Sequence, residues 1–269
     1  MTTKTQSTAS PRPRLRPVAI PAEHGGWSFL LEPILLALIV APSAAGVFYG
    51  VGMFFAFMTR HPLKLALSDR RRGKRLARTP LAERFALFYG GVSAAAFALA
   101  VLNSGLTPLL PLLLGVPLFV LQAYLDATNR SRSIIVEFLG PVALALIAVS
   151  IGLAGGWTPV MAFGLWFLIV LRAVPSIAYV RARLRLERGA DIPRALVTAI
   201  HLIALALGVW LVSAGLAPAL SLIALTLYAA RAAYGLSDFR KPAAPKIIGI
   251  QEVVFGVIFV ALSAIGYRM

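Results

Sequence analysis

Cysteine is absent from all 269 residues, which excludes disulfides, thiolate metal sites and cysteine nucleophiles and leaves the redox character of the compartment open. Histidine is nearly absent too, and His24, His61 and His201 have no metal-site spacing. Negative charge is scarce, with 10 acidic residues against 26 basic ones and a net charge of +16. Charge as a whole is scarce: 13% of the residues are charged, 59% are hydrophobic, and the mean hydropathy is +0.84. A soluble domain of this length could not hide that much apolar surface, so the composition specifies a polytopic membrane protein. In such a protein the positive charge meets anionic lipid headgroups, not nucleic acid. The first 20 residues lack the apolar core of a cleavable signal peptide. Their Ser, Thr, Arg and Pro content reads as a disordered basic cytoplasmic tail over 1–22, ahead of a transmembrane domain over 23–269.

Charge is also missing from every second connection. Nine segments reach or approach the roughly 20 apolar residues that a spanning helix needs: 27–41, 47–58, 85–102, 109–125, 134–154, 160–180, 195–214, 219–234 and 247–267. The connections around 42–46, 103–108, 155–159 and 215–218 are uncharged, and every Lys and Arg except Arg268 falls on the other side. Short cytoplasmic loops retain Lys and Arg. The expectation is an all-α bundle of nine transmembrane helices in the inner (plasma) membrane of the cell, amino terminus cytoplasmic and carboxy terminus outside. The short segment 47–58 is expected to continue as a helix through Arg60 and Lys64 into water.

Six ionisable groups sit inside or at the edge of these segments, all toward the basic side: Glu32, Glu137, Arg172, His201, Arg231 and Glu252. A charge at the centre of a membrane helix costs about 2.5–3.5 kcal/mol, so such residues carry function or pair with one another. One reading is a polar cavity open to the cytoplasm. The other is structural, with arginines snorkelling to headgroups and glutamates pairing with them. Two basic faces flank the segments. Arg60, Lys64 and Ser68 follow i, i+4, i+8 spacing in the stretch that also holds His61, Pro62 and Asp69, with Pro62 read as opening a fresh turn. Arg181, Arg185 and Arg188 follow Tyr179 on one face of a second helix. Such faces can clamp a phosphate or diphosphate, or simply touch lipid, as the run from Arg70 to Arg75 does more naturally. Glu23 and His24, ahead of the first segment, form either an acid/base pair at the cavity mouth or a cap on the first helix.

The topology and several motifs resemble the UbiA superfamily of intramembrane aromatic prenyltransferases. Asn129-Arg130-Ser131-Arg132-Ser133, then Glu137, Leu139-Gly140 and Gly156-Trp157, are similar to a stretch of that family. Arg60, Lys64 and Ser68 fall on its N-x3-D-x3-D spacing, and Tyr179, Arg181 and Arg185 on the region of its second D-x3-D. Bases stand where the family's carboxylates hold Mg²⁺, so the metal-dependent step does not carry over, and neither Mg²⁺ nor another cofactor is expected. The opening Pro21-Ala-Glu23-His24-Gly25-Gly26-Trp27-Ser-Phe-Leu-Leu-Glu32-Pro33 resembles the YwiC-like membrane proteins.

These readings give a site in which Glu23, His24 and Glu32 would carry any catalysis. Arg60, His61, Lys64, Asp69, Arg130, Arg132, Glu137, Arg172, Tyr179, Arg181 and Arg185 would hold an isoprenoid or lipid-like ligand with an anionic head. Fixed guanidinium groups can stabilise a leaving diphosphate without metal. Two alternatives stand beside it: a proton-coupled transporter of a small anion using Glu32, Glu137 and His201 as a relay, and a noncatalytic assembly partner of a membrane enzyme. Membrane lipids are the expected partners; the oligomeric state is not specified.

Overall fold

The computed structural model describes residues 15–20, 26–73, 75–127 and 134–269, leaving aside the side chains of 119, 122–127 and 134–136. The elements are α1 (Arg16–Ala19), α2 (Gly26–Val40), α3 (Ala44–Arg71), α4 (Thr79–Ser104), a 3-10 turn (Thr107–Leu109), α5 (Leu110–Ala127), α6 (Ile134–Ala154), α7 (Pro159–Leu186), α8 (Arg194–Ser213), α9 (Leu220–Gly235) and α10 (Pro245–Arg268). No strand occurs among the described residues. Each of the nine apolar segments overlaps one of α2 to α10. Among the described residues, five helical stretches are long and apolar enough to cross a membrane, namely α4, Glu137–Ala154 of α6, α7, α8 and α10. Gly26–Val40, Thr107–Leu118 and Leu220–Gly235 are apolar but shorter. The chain is an all-helical, multi-pass membrane protein.

The helices that leave the apolar layer do so without a break. α3 runs unbroken through Arg60 and Lys64 to Arg71. Pro62 lies inside it and opens no new turn, since neighbouring groups in membrane proteins can satisfy the backbone it frees. α7 likewise continues past Tyr179 to Leu186, with a cap at its start where the Met161 N–H donates to the Thr158 hydroxyl.

The chain divides into two compact units. The first contains 52–95 and the amino-terminal residues. Here α3 and α4 are tied by the Ser93 hydroxyl, which donates to the Gly52 carbonyl at 2.8 Å, and by Tyr89, which packs against Phe55 and stacks on Phe85. Within the tail, α1 is a single turn whose Val18 and Ala19 are buried with Ala66 and Ala82. His61 Nε2 bonds to the Pro17 carbonyl at 3.0 Å and holds that turn in place.

The second unit contains 23–51 and 96–269. Its contacts close a circuit, α2 to α6 to α7 to α8 to α9 to α10 and back to α2, while α7 also touches α2, α9 and α10. α5 packs on α6. α7 is therefore the helix whose side chains meet the most neighbours, and its buried face includes Arg172, Ser176, Tyr179 and Arg183. At the uncharged end α10 fastens three other turns: Arg268 donates to the Ile39 carbonyl at 2.8 Å, the Tyr267 hydroxyl donates to the Leu216 carbonyl at 3.0 Å, and Tyr267 packs on Trp157. Arg268, the one basic residue outside the charge alternation, is thus used to cap the carbonyl end of α2.

Candidate functional site

The site lies in the second unit, where four helices turn polar side chains inward at helical spacing. α7 contributes Arg172, Ser176, Tyr179 and Arg183, at i, i+4, i+7 and i+11, so all four share one face. α9 adds Tyr228, Arg231 and Gly235 on the same principle, α10 adds Glu252 and Gly256, and α2 adds Phe29 and Glu32.

Arg172 is the centre. Its side chain is 1% exposed, its Nη2 donates to Glu32 Oε1 at 2.7 Å, and its Nε donates to the Tyr228 hydroxyl at 2.8 Å. Its guanidinium carbon also lies 5.3 Å from the centre of the Phe29 ring and 5.2 Å from that of Tyr228. A second buried arginine lies on α9. Arg231 is ion-paired with Glu252 and enclosed by three rings, with centroids 4.3 Å (Tyr179), 4.8 Å (Tyr228) and 4.6 Å (Phe255) from its guanidinium carbon. The Ser176 hydroxyl donates to the other oxygen of Glu252. Two carboxylates and two guanidinium groups thus form a quartet of zero net charge, bridged by Tyr228. Pairing offsets much of the penalty of placing four ions in an apolar bundle. It does not satisfy every donor: Arg172 Nη1 and Arg231 Nε and Nη2 are buried without a hydrogen-bond partner among the described residues.

Gly256 makes room for this arrangement. A Cβ built there would run into the Glu32 carboxylate and come within 3.0 Å of Arg172 Nη2. α10 can approach the quartet only because that position has no side chain.

A second cluster closes the basic end of the unit. Arg183 donates through Nη1 to the Gly235 carbonyl and through Nη2 to the Lys241 carbonyl at 2.5 Å, and it pairs with Glu187 at 2.8 Å. Arg194 pairs with Asp238 at 2.7 Å. The connection from α9 to α10 is therefore clasped from α7 and α8. Hydrogen bonding to Arg194 holds the Asp238 carboxyl below the usual range for an aspartate.

The expected site residues divide accordingly. Glu32, Arg172 and Tyr179 belong to the inward face just described. Glu137 pairs with Arg181 at 2.5 Å, both about one-third exposed and away from the quartet's bonds. Arg185 is exposed. Arg183, two residues from each of the arginines expected to clamp a ligand, is the buried one. Arg60, His61, Lys64 and Asp69 lie in the first unit. Asp69 is engaged there by its own neighbours, accepting from Arg78 Nη2 at 2.8 Å, from Arg78 Nε at 3.1 Å and from the Thr79 hydroxyl at 2.9 Å. Glu23, His24, Arg130 and Arg132 lie outside the described residues. The three relay candidates have separate partners: Glu32 bonds to Arg172, Glu137 to Arg181, and His201 Nδ1 to the Val197 carbonyl of its own helix.

Mg²⁺ is the metal of the prenyltransferases that the sequence resembles, and the donor set around Arg60, Lys64 and Ser68 does not suit that ion. The nearby carboxylate, Asp69, is already saturated by a guanidinium and a hydroxyl. Among the described residues no three His, Asp or Glu side chains are grouped so as to hold a metal ion.

Ser176, Arg183, Tyr228 and Gly256 were not anticipated as site residues. A signal for the first two existed in the sequence: four polar residues at helical spacing within and just beyond an apolar segment.

The Asp69 clamp yields a pH prediction. Hydrogen bonding to Arg78, aided by Thr79, holds the Asp69 carboxyl below its usual value although burial opposes this. A depressed carboxyl contributes stability above its unfolded value, near 4, and loses it as pH falls through the folded value. The thermal stability difference between wild type and Asp69→Asn should therefore be full at pH 7 and shrink below about pH 4. A difference unchanged down to pH 3 would show that Asp69 is not held as a carboxylate.

A family model described as YwiC-like protein matches residues 20–152, just under half of the chain. No curated protein and no solved structure matches it. The matched stretch takes in Glu32 but stops short of Arg172, Arg231 and Glu252. Over residues 20–152, the chain is similar to YwiC-like proteins.

Proposed function

We propose that this is a YwiC-like membrane protein that binds an amphipathic ligand, an isoprenoid or similar lipid, with its anionic head at Arg172 and Arg231 and its tail between helices. The observation that carries the reading is the pair of buried guanidinium groups whose Arg172 Nη1 and Arg231 Nε and Nη2 lack hydrogen-bond partners among the described residues, beside the Tyr179, Tyr228 and Phe255 rings. Buried charged donors left unmet are costly, and an anionic oxygen is the group that meets them best. Glu32 and Glu252 then serve as internal counter-ions that a ligand head joins or displaces.

In the same proposal the chain crosses the plasma membrane nine times in a UbiA-like bundle, with its amino terminus and basic connections cytoplasmic and its carboxy terminus outside. The charge alternation along the sequence supports this. Chemistry, if the protein performs any, is metal-independent, with guanidinium groups taking the part that carboxylate-held Mg²⁺ plays in the prenyltransferases. The transporter reading draws no support from relay residues bound to separate partners, and no observation favours the assembly-partner reading.

The test is mass spectrometry of lipid retained by protein purified in mild detergent. The expected result is an isoprenoid or acyl lipid with an anionic head at near one per protein, reduced about tenfold or more in Arg231→Gln/Glu252→Gln, which leaves no carboxylate unpaired. Wild-type protein that carries no such lipid and rebinds none on reconstitution would refute the reading.

A further inference from the structure

A separate pocket lies in the first unit, at the connection from α3 to α4. A cavity of about 360 Å³ is lined by Arg70, Gly73, Arg75, Thr79 and Glu83. That is about ten times the ~30 Å³ share of one liquid water, so it has room for a tetrahedral oxyanion with its waters. We propose that this pocket binds a phosphate group through Arg70 and Arg75, with Glu83 holding the place of the anion.

Three observations support this, none of them part of the site in the second unit. One wall is fixed by buried polar contacts, while Arg70, 68% exposed, faces solvent. Asp69, 1% exposed, fixes Arg78 and Thr79, and the Thr79 hydroxyl in turn accepts from the Leu76 N–H at 3.1 Å. Gly73, with φ +62, makes the left-handed turn that brings the chain back toward α4. The charge balance is also one-sided. Asp69 is neutralised by Arg78 and Glu83 by Arg70, while Arg71, Arg72 and Arg75 have no ion pair among the described residues. Lastly, Arg70 donates to a single oxygen of Glu83 through both Nε, at 2.9 Å, and Nη2, at 2.7 Å. Arginine presents the same edge to phosphate. Among the described residues Glu83 is the one acidic group lining the pocket, so an incoming phosphate meets a cationic pocket whose opposing charge is one it can replace at Arg70.

A phosphate group reaches this pocket either free in solution or on a phospholipid headgroup, and the experiment separates the two. Full-length protein in neutral detergent is titrated with inorganic phosphate. The same protein in nanodiscs of phosphatidylglycerol or of phosphatidylcholine is examined by native mass spectrometry for retained lipid. Saturable binding is expected in at least one arm. The solution arm identifies free phosphate, and selective retention of phosphatidylglycerol identifies a lipid headgroup. In the responding arm Arg70→Gln/Arg75→Gln should lose about tenfold or more in affinity, and Arg71→Gln/Arg72→Gln appreciably less. Glu83→Gln should bind about threefold more tightly, an increase that damage to the fold would not produce. The proposal is overturned if neither arm saturates, if Arg70→Gln/Arg75→Gln binds like wild type, or if the two double variants lose affinity equally. A Glu83→Gln protein with an unchanged melting temperature and weaker binding would overturn it as well.

Discussion

Arg172→Ala is expected to cost about 3–5 kcal/mol of stability, the usual penalty for removing one member of a buried ion pair. The substitution strands the Glu32 carboxylate, removes the N–H that donates to the Tyr228 hydroxyl, and vacates the space between the Phe29 and Tyr228 rings. Arg172→Lys should recover little of this. A single ammonium on a flexible stem cannot reproduce a planar group that donates along two directions at once. Removing both charges is a different experiment. Arg172→Leu/Glu32→Leu should lie within a few kcal/mol of wild type or exceed it, because buried ion pairs often cost as much to desolvate as they return. Thermal unfolding in detergent, followed by the loss of monodisperse protein, measures all three. If Arg172→Ala unfolds within about 0.5 kcal/mol of wild type, as surface substitutions do, Arg172 is not the centre of the bundle. If the double leucine variant is stable but retains no lipid, the pair exists for binding and not for folding.

Gly256→Ala is the second large effect. The added methyl group would meet the Glu32 carboxylate and Arg172 Nη2, neither of which can swing into water from a position buried among four helices. Overpacking of this kind costs about 1–3 kcal/mol. Gly249→Ala on the same helix is the control, since nothing lies within 4 Å of its would-be Cβ; there the better helix propensity of alanine should leave stability unchanged or raised by up to about 1 kcal/mol. The clash also predicts a coupling. Shortening the partner, in Glu32→Ala/Gly256→Ala, should remove most of the added cost of the Gly256 substitution, and a double-mutant cycle in thermal unfolding reads that coupling directly. Strict additivity would mean that the two side chains do not meet.

The helices themselves could be read from hydropathy and from the charge alternation, because both follow from chain-local physics: apolar length and the placement of Lys and Arg. The continuation of α3 past Lys64 and of α7 past Tyr179 could be read for the same reason. Which side of a helix faces inward was harder. Arg181, Arg183 and Arg185 are spaced two residues apart and therefore point in different directions, and only the helical spacing from Arg172, Ser176 and Tyr179 marks Arg183 as the one that meets Gly235 and Lys241. The pairing of ions was harder still, since Arg172 and Glu32 are 140 residues apart. The structure pairs Glu32 with Arg172, Glu137 with Arg181 and Glu252 with Arg231, as the structural reading of these charges expects. Asp69 is a further case: its carboxylate is bonded by Arg78, nine residues downstream, a pairing that its motif-like position does not reveal.

The 140 residues between Glu32 and Arg172 also separate them in time. At a synthesis rate of about 5–20 residues per second, the ribosome delivers the counter-ion on the order of ten seconds after α2 has emerged. During that interval the first apolar helix carries an acidic group with no arginine to meet it, and a lone charge at a helix centre weighs against entry into lipid. The ion pair that fixes α2 therefore cannot form before α7 has been made, although α2 is the first of the apolar helices to be translated.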